Sequence, residues 1–379
     1  MVMTNPDSSS PTILQESRDN KLKYFKDIIV PHRKICAVLE RLIKNIIEPD
    51  DALVYLVFGV TGVGKSRLKA ELEKRLLAHF KDEIISNPGI LVVGGIEVDG
   101  AEGGKFNYSD YYIQVLESLK EVLIDYKENY GIHFEDDNED HLIGDHEGKN
   151  AKALRRAMQK VFLHRQLKAY TLDEAQHLFD VAGGRQINVQ MNWLKSIANK
   201  TQTVHVLFGT YELLKCQEVN GQVGRRSEDY YLAPYYFNNE KDEEDFVKVI
   251  KTLQENSPVE NVPQLEKHWK YFMESSIGCV GILKSWWFRA LAKALDDGAK
   301  TLRLKDFEAR ELSAGRRKTI QKELEAGESR LAYLYKEDKE EKVEKSKSIA
   351  DATSQSTKKG GKVGERKVGR DLVGVNTEG

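Results

Sequence analysis

Gly59-Val-Thr-Gly-Val-Gly-Lys65-Ser66 decides how this chain is read. A glycine, four residues and Gly-Lys-Ser is the phosphate-loop pattern, modestly specific alone and far stronger in the right setting. Leu53-Val-Tyr-Leu-Val-Phe58 precedes it, a short apolar run of β-formers that reads as a buried strand. Leu68, Leu72, Leu76 and Leu77 follow it at helical spacing. Strand, loop and helix in that order aim backbone N–H groups and a helix N-terminus at a polyphosphate. Lys65 is placed to reach β- and γ-phosphate oxygens, and the Ser66 hydroxyl to ligate Mg²⁺. The expected nucleotide-binding set is Gly59, Val60, Thr61, Gly62, Val63, Gly64, Lys65 and Ser66, with Arg67 adjoining. A glycine-rich turn with an incidental lysine is the plainer alternative, and it leaves both flanks unexplained.

Outward from the loop, further apolar runs supply a sheet. Gly89–Val98 reads as a second buried strand, followed by the loop Asp99-Gly-Ala-Glu-Gly-Gly-Lys105. Leu167-Lys-Ala-Tyr-Thr-Leu-Asp173-Glu174 is a strand ending in adjacent carboxylates. Asp173 at its tip is expected to hold Mg²⁺ through water. Glu174, one residue on and across the pleat, is expected to orient and deprotonate the attacking water. The alternative is a pair of helix-capping acids at a strand-to-helix turn. Thr203–Thr210 is a fourth strand, and in a parallel sheet Thr210 lands beside the carboxylate strand, placed to sense the γ-phosphate or the water. A plain turn threonine is the competing reading. Arg225-Arg226 lies past the next helix, where a guanidinium would serve a neighbouring subunit's nucleotide as an arginine finger; a surface arginine pair is equally common.

The fold class expected is α/β: a phosphate-loop core with a parallel sheet, a small helical lid and a disordered C-terminal tail. Residues 1–22 are Ser/Asp/Asn-rich and read as disordered. Residues 23–237 form the core, opening with an amphipathic helix over His32–Ile47 and closing with Asp229–Phe237. Residues 238–312 form the lid, with helical spacing in Phe246–Asn256, Gln264–Ser275 and Val280–Asp296. Trp269, Phe272, Trp286, Trp287 and Phe288 read as its core rather than a base-stacking platform. Residues 313–379 are a charged tail, helical at most over 313–335. Glu135–Asn150 is an acidic insertion whose spacing does not match an EF-hand.

The net charge is -2 over 379 residues, so any nucleic-acid surface must be a local patch. Cys36, Cys216 and Cys279 are scattered without metal-ligand spacing and read as reduced, packed thiols. With no apolar signal core and no window of membrane-spanning length, no membrane partner and a cytoplasmic location are expected.

Phosphate loop, Asp-Glu strand, Phe-Gly-Thr strand, Arg-Arg and helical lid make an order that resembles the AAA+ ATPases. Four pieces resemble the TnsC/TniB transposition regulators, CRISPR-associated ones included. They are Ile28-Ile-Val-Pro-His-Arg-Lys-Ile35, Leu172-Asp-Glu-Ala-Gln-His-Leu178, Leu207-Phe-Gly-Thr-Tyr-Glu-Leu213 and Gly278-Cys-Val-Gly-Ile-Leu-Lys284. The resemblance implies the roles given above for Lys65, Ser66, Asp173, Glu174 and Thr210, with Arg226 the better finger. It implies ATP and Mg²⁺ as ligands, while the chain's departure from the family at Ile282 implies slow hydrolysis. Ile282 stands where the family often carries a basic residue, which leaves Lys284 as the lid's candidate for the nucleotide. It also implies a ring or helical filament on double-stranded DNA without sequence preference, in a bacterial cytoplasm. Such a filament links a target selector to a transposase, and hydrolysis disassembles it. Lys105 and Arg185 are the candidate phosphate contacts to DNA. A helicase-like motor and a nucleotide-switched signalling or defence module are the rival readings.

Overall fold

The apolar runs around the phosphate loop become neighbours in a five-stranded sheet ordered β2-β3-β4-β1-β5. The computed structural model describes residues 11–100, 106–121, 147–180, 184–218 and 227–334. The strands are β1 (Val54–Phe58), β2 (Val93–Glu97), β3 (Ala169–Asp173), β4 (Val204–Gly209) and β5 (Ser227–Tyr231). All pairings are parallel. Every residue of β1 and β4 is buried, as continuous apolar runs require when helices cover both faces of a parallel sheet. The register sets Phe58 opposite Gly209 and Leu172 opposite Leu207. The carboxyl ends of β1, β3 and β4 therefore share one edge, and the phosphate loop, Asp173 and Thr210 emerge there.

The edge strand β5 begins earlier than expected and is polar along Ser-Glu-Asp, with Tyr230 its one buried residue. It needs no apolar alternation because Arg41 and Asn45 of the helix Arg33–Ile47 bind Glu228. The helix expected over His32–Ile47 is present as Arg33–Ile47, and the helices Glu147–His164 and Gly184–Thr201 precede β3 and β4. The acidic insertion falls mostly outside the described residues.

Helices Glu240–Glu255, Trp269–Ser275, Val280–Asp296 and Leu304–Glu308 build a second core. The aromatic set lines it as expected: Phe272, Trp286, Trp287 and Phe307 are fully buried. Trp286 Nε1 donates to Phe307 O at 2.9 Å and Trp287 Nε1 to Ser257 Oγ at 2.8 Å, so neither indole is buried unsatisfied. The N-terminus departs from expectation. Pro11–Gln15 and Arg18–Asp27 are helical, the latter capped by Ser17. Leu22, Phe25, Ile28 and Val30 join the lid's apolar cluster, and that burial orders a segment too polar to fold alone.

Ion pairs join the first core helix to the lid. Asp242, only 2% exposed, accepts from Arg33 and Lys34, both at 2.6 Å, and Asp245 takes the other arm of Arg33 at 2.6 Å. The chain divides into units Met1–Glu328 and Ser329–Gly379. Residues 314–328 close the first as a helix, and in the second the described residues 329–334 are helical. No described helix is long and apolar enough to cross a membrane.

Candidate nucleotide site

The loop between β1 and the helix Lys65–His79 turns through left-handed torsions at Gly62 (φ 80°) and Gly64 (φ 121°). Side-chain-bearing residues resist both, so the pattern's glycines are structural requirements here. Lys65 is 7% exposed and lies back over the loop, donating to Gly59 O at 2.9 Å and Val60 O at 3.2 Å. Burial lowers its pKa, while the charges of Glu174, Glu323 and Asp173 pull the other way.

The lid touches the loop through backbone. Ile282 N–H donates to Gly62 O at 3.1 Å, and a Cβ on Gly281 would stand 2.4 Å from that same oxygen. Only glycine permits this approach. Ile282 itself packs over Gly62, so the position where a basic residue was sought instead seats the lid on the loop.

Across the sheet edge, β3 ends at Asp173, and Glu174 does not continue the pleat as expected. It turns left-handed (φ 48°, ψ 36°), a conformation that strains any residue with a Cβ, and its N–H donates to Asp173 Oδ1 at 3.1 Å. That turn, rather than alternation along a strand, sets the direction in which the chain leaves Asp173. Gln176 then fixes Glu174: its Nε2 donates to Glu174 Oε2 at 2.6 Å, while its Oε1 accepts from Thr210 N–H at 3.3 Å. Gln176 is 8% exposed, and a Cβ on Gly209 would stand 2.6 Å from its Oε1. One amide thus ties the candidate base on β3 to the candidate sensor on β4. Sequence reasoning passed over Gln176, whose only signal was its place two residues after Glu174. Thr210 Oγ1 meanwhile caps the following turn, accepting from Glu212 N–H at 3.4 Å.

Two residues expected to bind nucleotide are engaged elsewhere. Lys284 Nζ donates to Lys26 O at 2.7 Å and Ile28 O at 2.6 Å, and Arg67 Nη2 to Asp27 O at 3.2 Å. Both cations cap the carbonyl end of the N-terminal helix, where helix-end charge favours them. Burial and the neighbouring Arg67 push the Lys284 pKa down to about 8. Arg225, Arg226 and Lys105 lie outside the described residues. Arg185 is in the first turn of the helix Gly184–Thr201.

The donor set suits Mg²⁺. That ion takes one or two protein oxygens and fills the rest of its shell with phosphate and water. Exposed Ser66 and half-buried Asp173 offer such a pair. Among the described residues no group of three or more His, Cys, Asp or Glu side chains could cage a metal without phosphate. The three cysteines are free thiols, and burial pushes Cys279 up to about 12.

Two carboxylates from the far end of the first unit also reach this face. Glu323 Oε1 accepts from Thr61 N–H at 3.0 Å and from Thr61 Oγ1 at 3.1 Å. Glu328 Oε1 accepts from the hydroxyls of Tyr211, Tyr231 and Tyr236. Nothing in the local sequence signals either contact.

Residues 48–217 match the family model of the AAA domain. No curated protein matches the chain. Among solved structures it is similar to the ORC2 protein of Aeropyrum pernix in ADPNP–ADP complexes, at 13% identity. That match covers 80% of this chain and 73% of the other, with a TM-score of 0.48. The ORC1 protein of the same organism in complex with DNA matches at 18% identity, covering 78% and 70%, with a TM-score of 0.47. A Walker-type ATPase of Pyrococcus abyssi matches at 15% identity, covering 79% and 75%, with a TM-score of 0.43. Likenesses this distant bear on neither activity nor partners. Residues 48–217, which match the AAA domain, carry the phosphate loop and the parallel sheet of an AAA+ P-loop fold.

Proposed function

We propose that this chain binds and hydrolyses ATP, and that the hydrolytic step belongs to Glu174. The observation that carries the reading is the Glu174–Gln176–Thr210 connection at the sheet edge that also presents Lys65. In the reaction a water oxygen bonds to the γ-phosphorus, the bond to the β–γ bridging oxygen breaks, and ADP and phosphate result. Glu174 orients the water and accepts its proton. Lys65 leaves the Gly59 and Val60 carbonyls for phosphate oxygens, and loop N–H groups hold the rest of the polyphosphate. Mg²⁺, held by Ser66 and through water by Asp173, would neutralise charge developing on the phosphates. Gln176 positions Glu174 and reports its setting to Thr210. Glu174→Gln should lower turnover about 100-fold or more while ATP binding stays within about threefold. Normal turnover in that variant removes Glu174 as the base.

At a finer level the proposal is a transposition regulator. ATP assembles copies of the chain on duplex DNA, the assembly links a target selector to a transposase, and hydrolysis takes it apart. What supports this is the combination of segments Ile28–Ile35, Leu172–Leu178, Leu207–Leu213 and Gly278–Lys284, set in a chain with an AAA domain. An acidic protein can still grip DNA if each subunit adds a few cations and the assembly repeats them. Lys105 and Arg185 are the proposed contacts, Arg226 the proposed finger between copies. Negative-stain imaging with duplex DNA, Mg²⁺ and a non-hydrolysable ATP analogue tests this. Rings or filaments on DNA are expected. Monomers under those conditions overturn the transposition reading, and assembly indifferent to DNA replaces it with a nucleotide-gated switch.

A further inference from the structure

We propose that the helix over 314–328 is a strap that competes with the nucleotide for the phosphate loop, so that binding ATP releases it. The proposal deepens the nucleotide-site reading and rests on it.

The strap is fastened at three places. At its start, Arg317 pairs with Glu311 and donates to Ser275 Oγ at 3.3 Å, and Ser275 Oγ donates to Glu311 Oε1 at 2.6 Å, which anchors it to the lid. In its middle, Glu323 sits on the loop. At its end, Glu328 receives three phenolic hydroxyls, from Tyr211 after β4, Tyr231 in β5 and Tyr236 beyond it. Gly327 is a helix-weakening residue placed where only a glycine fits, since a Cβ there would stand 2.3 Å from the Tyr211 ring. The strap thus runs from lid to core across the face that presents the loop.

The chemistry of the middle fastening is that of the ligand. A phosphate loop recognises anions through backbone N–H groups, and a carboxylate oxygen accepts from the same donors a phosphate oxygen would use. Glu323 takes the N–H of Thr61, within the loop, and adds the Thr61 hydroxyl. Its charge is also felt at Lys65. An incoming polyphosphate therefore meets both a claimed donor and a like charge, and binding must displace Glu323. Because the same helix is tied to the lid and to the tyrosines, displacement at the loop loosens both ends. The three hydroxyls around Glu328 would then be open to another acidic side chain.

The test uses the full chain with an N-methylanthraniloyl ATP analogue and Mg²⁺, read by fluorescence. Glu323→Ala should tighten binding about tenfold, the loss of one charge-assisted competitor, and Glu323→Gln by a smaller factor. Glu328→Gln should also tighten binding, although its carboxylate bonds tyrosines and not the loop, and it keeps the test open if the Glu323 variants fold poorly. Amide exchange over 314–328 should speed up at least about tenfold when the analogue saturates the wild type. Equal or weaker binding in the Glu323 and Glu328 variants, or exchange unmoved by nucleotide, overturns the strap and leaves the nucleotide site standing. No saturable binding in wild type or variants overturns both.

Discussion

The phosphate loop has two walls, and they are built differently. The core wall is assembled from strand ends: Lys65 after β1, Asp173 and Glu174 after β3, Thr210 after β4, with Gln176 cross-linking the last two elements. The strand ends of one parallel sheet place these residues on a common edge, and the left-handed turn at Glu174 sets its side chain. The lid wall is assembled from docking contacts: one backbone hydrogen bond from Ile282, a glycine-only approach at Gly281, and the carboxylate of Glu323. Of these, only the Glu323 carboxylate sits on donors that a phosphate oxygen can take. A rigid wall suits holding groups for chemistry, and a detachable one suits sensing whether a ligand is present.

The contrast can be broken experimentally. Lys65→Ala removes the ammonium that lies over the loop and should cost about 1,000-fold in kcat/KM for ATP, measured by phosphate release. A loss below tenfold would mean the ligand is held mainly from the lid side. Next comes acid stability. Burial holds His205, inside β4, and His32, at the junction with the lid, down to about 4 each. Arg33 and Lys34 lower His32 further and Asp245 opposes them. Both are buried bases with folded pKa values below the unfolded 6.5, so the unfolded chain binds protons first as pH falls. Stability should therefore drop between about pH 6.5 and 4, by about 3 kcal/mol per histidine. Urea melts across that range check it, and His205→Phe should remove about half the slope. A profile without slope contradicts both burials.

Gln176→Leu should lower turnover about tenfold with nucleotide affinity unchanged, since it frees Glu174 without touching the loop. A matching loss of affinity would show that Gln176 supports the loop rather than the base. Lys284→Met should be the mildest, within about threefold in ATP affinity, because its ammonium binds the Lys26 and Ile28 carbonyls. Loss of ATP binding there would return Lys284 to the phosphate side and make the lid wall part of the binding machinery.

The core wall was largely readable in the sequence because short-range pattern and sheet order determine it. A strand–loop–helix at residues 53–77 and a strand ending in Asp-Glu leave little freedom once the sheet is parallel. What was not readable there is the left-handed turn at Glu174, which stands where pleat alternation was expected. The lid wall was legible only in its Gly278–Lys284 segment, and the Glu323 contact not at all. Thr61 and Glu323 lie 262 residues apart, and no periodicity links them. Lys284 was assigned by analogy to the nucleotide because nothing local reveals that the N-terminal helix ends beneath it. That helix looked disordered for a related reason, since Leu22 and Phe25 gain an apolar partner only once the lid has formed.

The placement of indoles has a practical outcome. Of the four tryptophans, Trp269, Trp286 and Trp287 belong to the lid, and Trp193 packs edge-on or tilted against Tyr108, Tyr111 and Tyr112 in the core. Ultraviolet emission from the unlabelled protein is therefore weighted toward the lid, giving a built-in optical gauge of that region's surroundings in a stopped-flow cell without any dye.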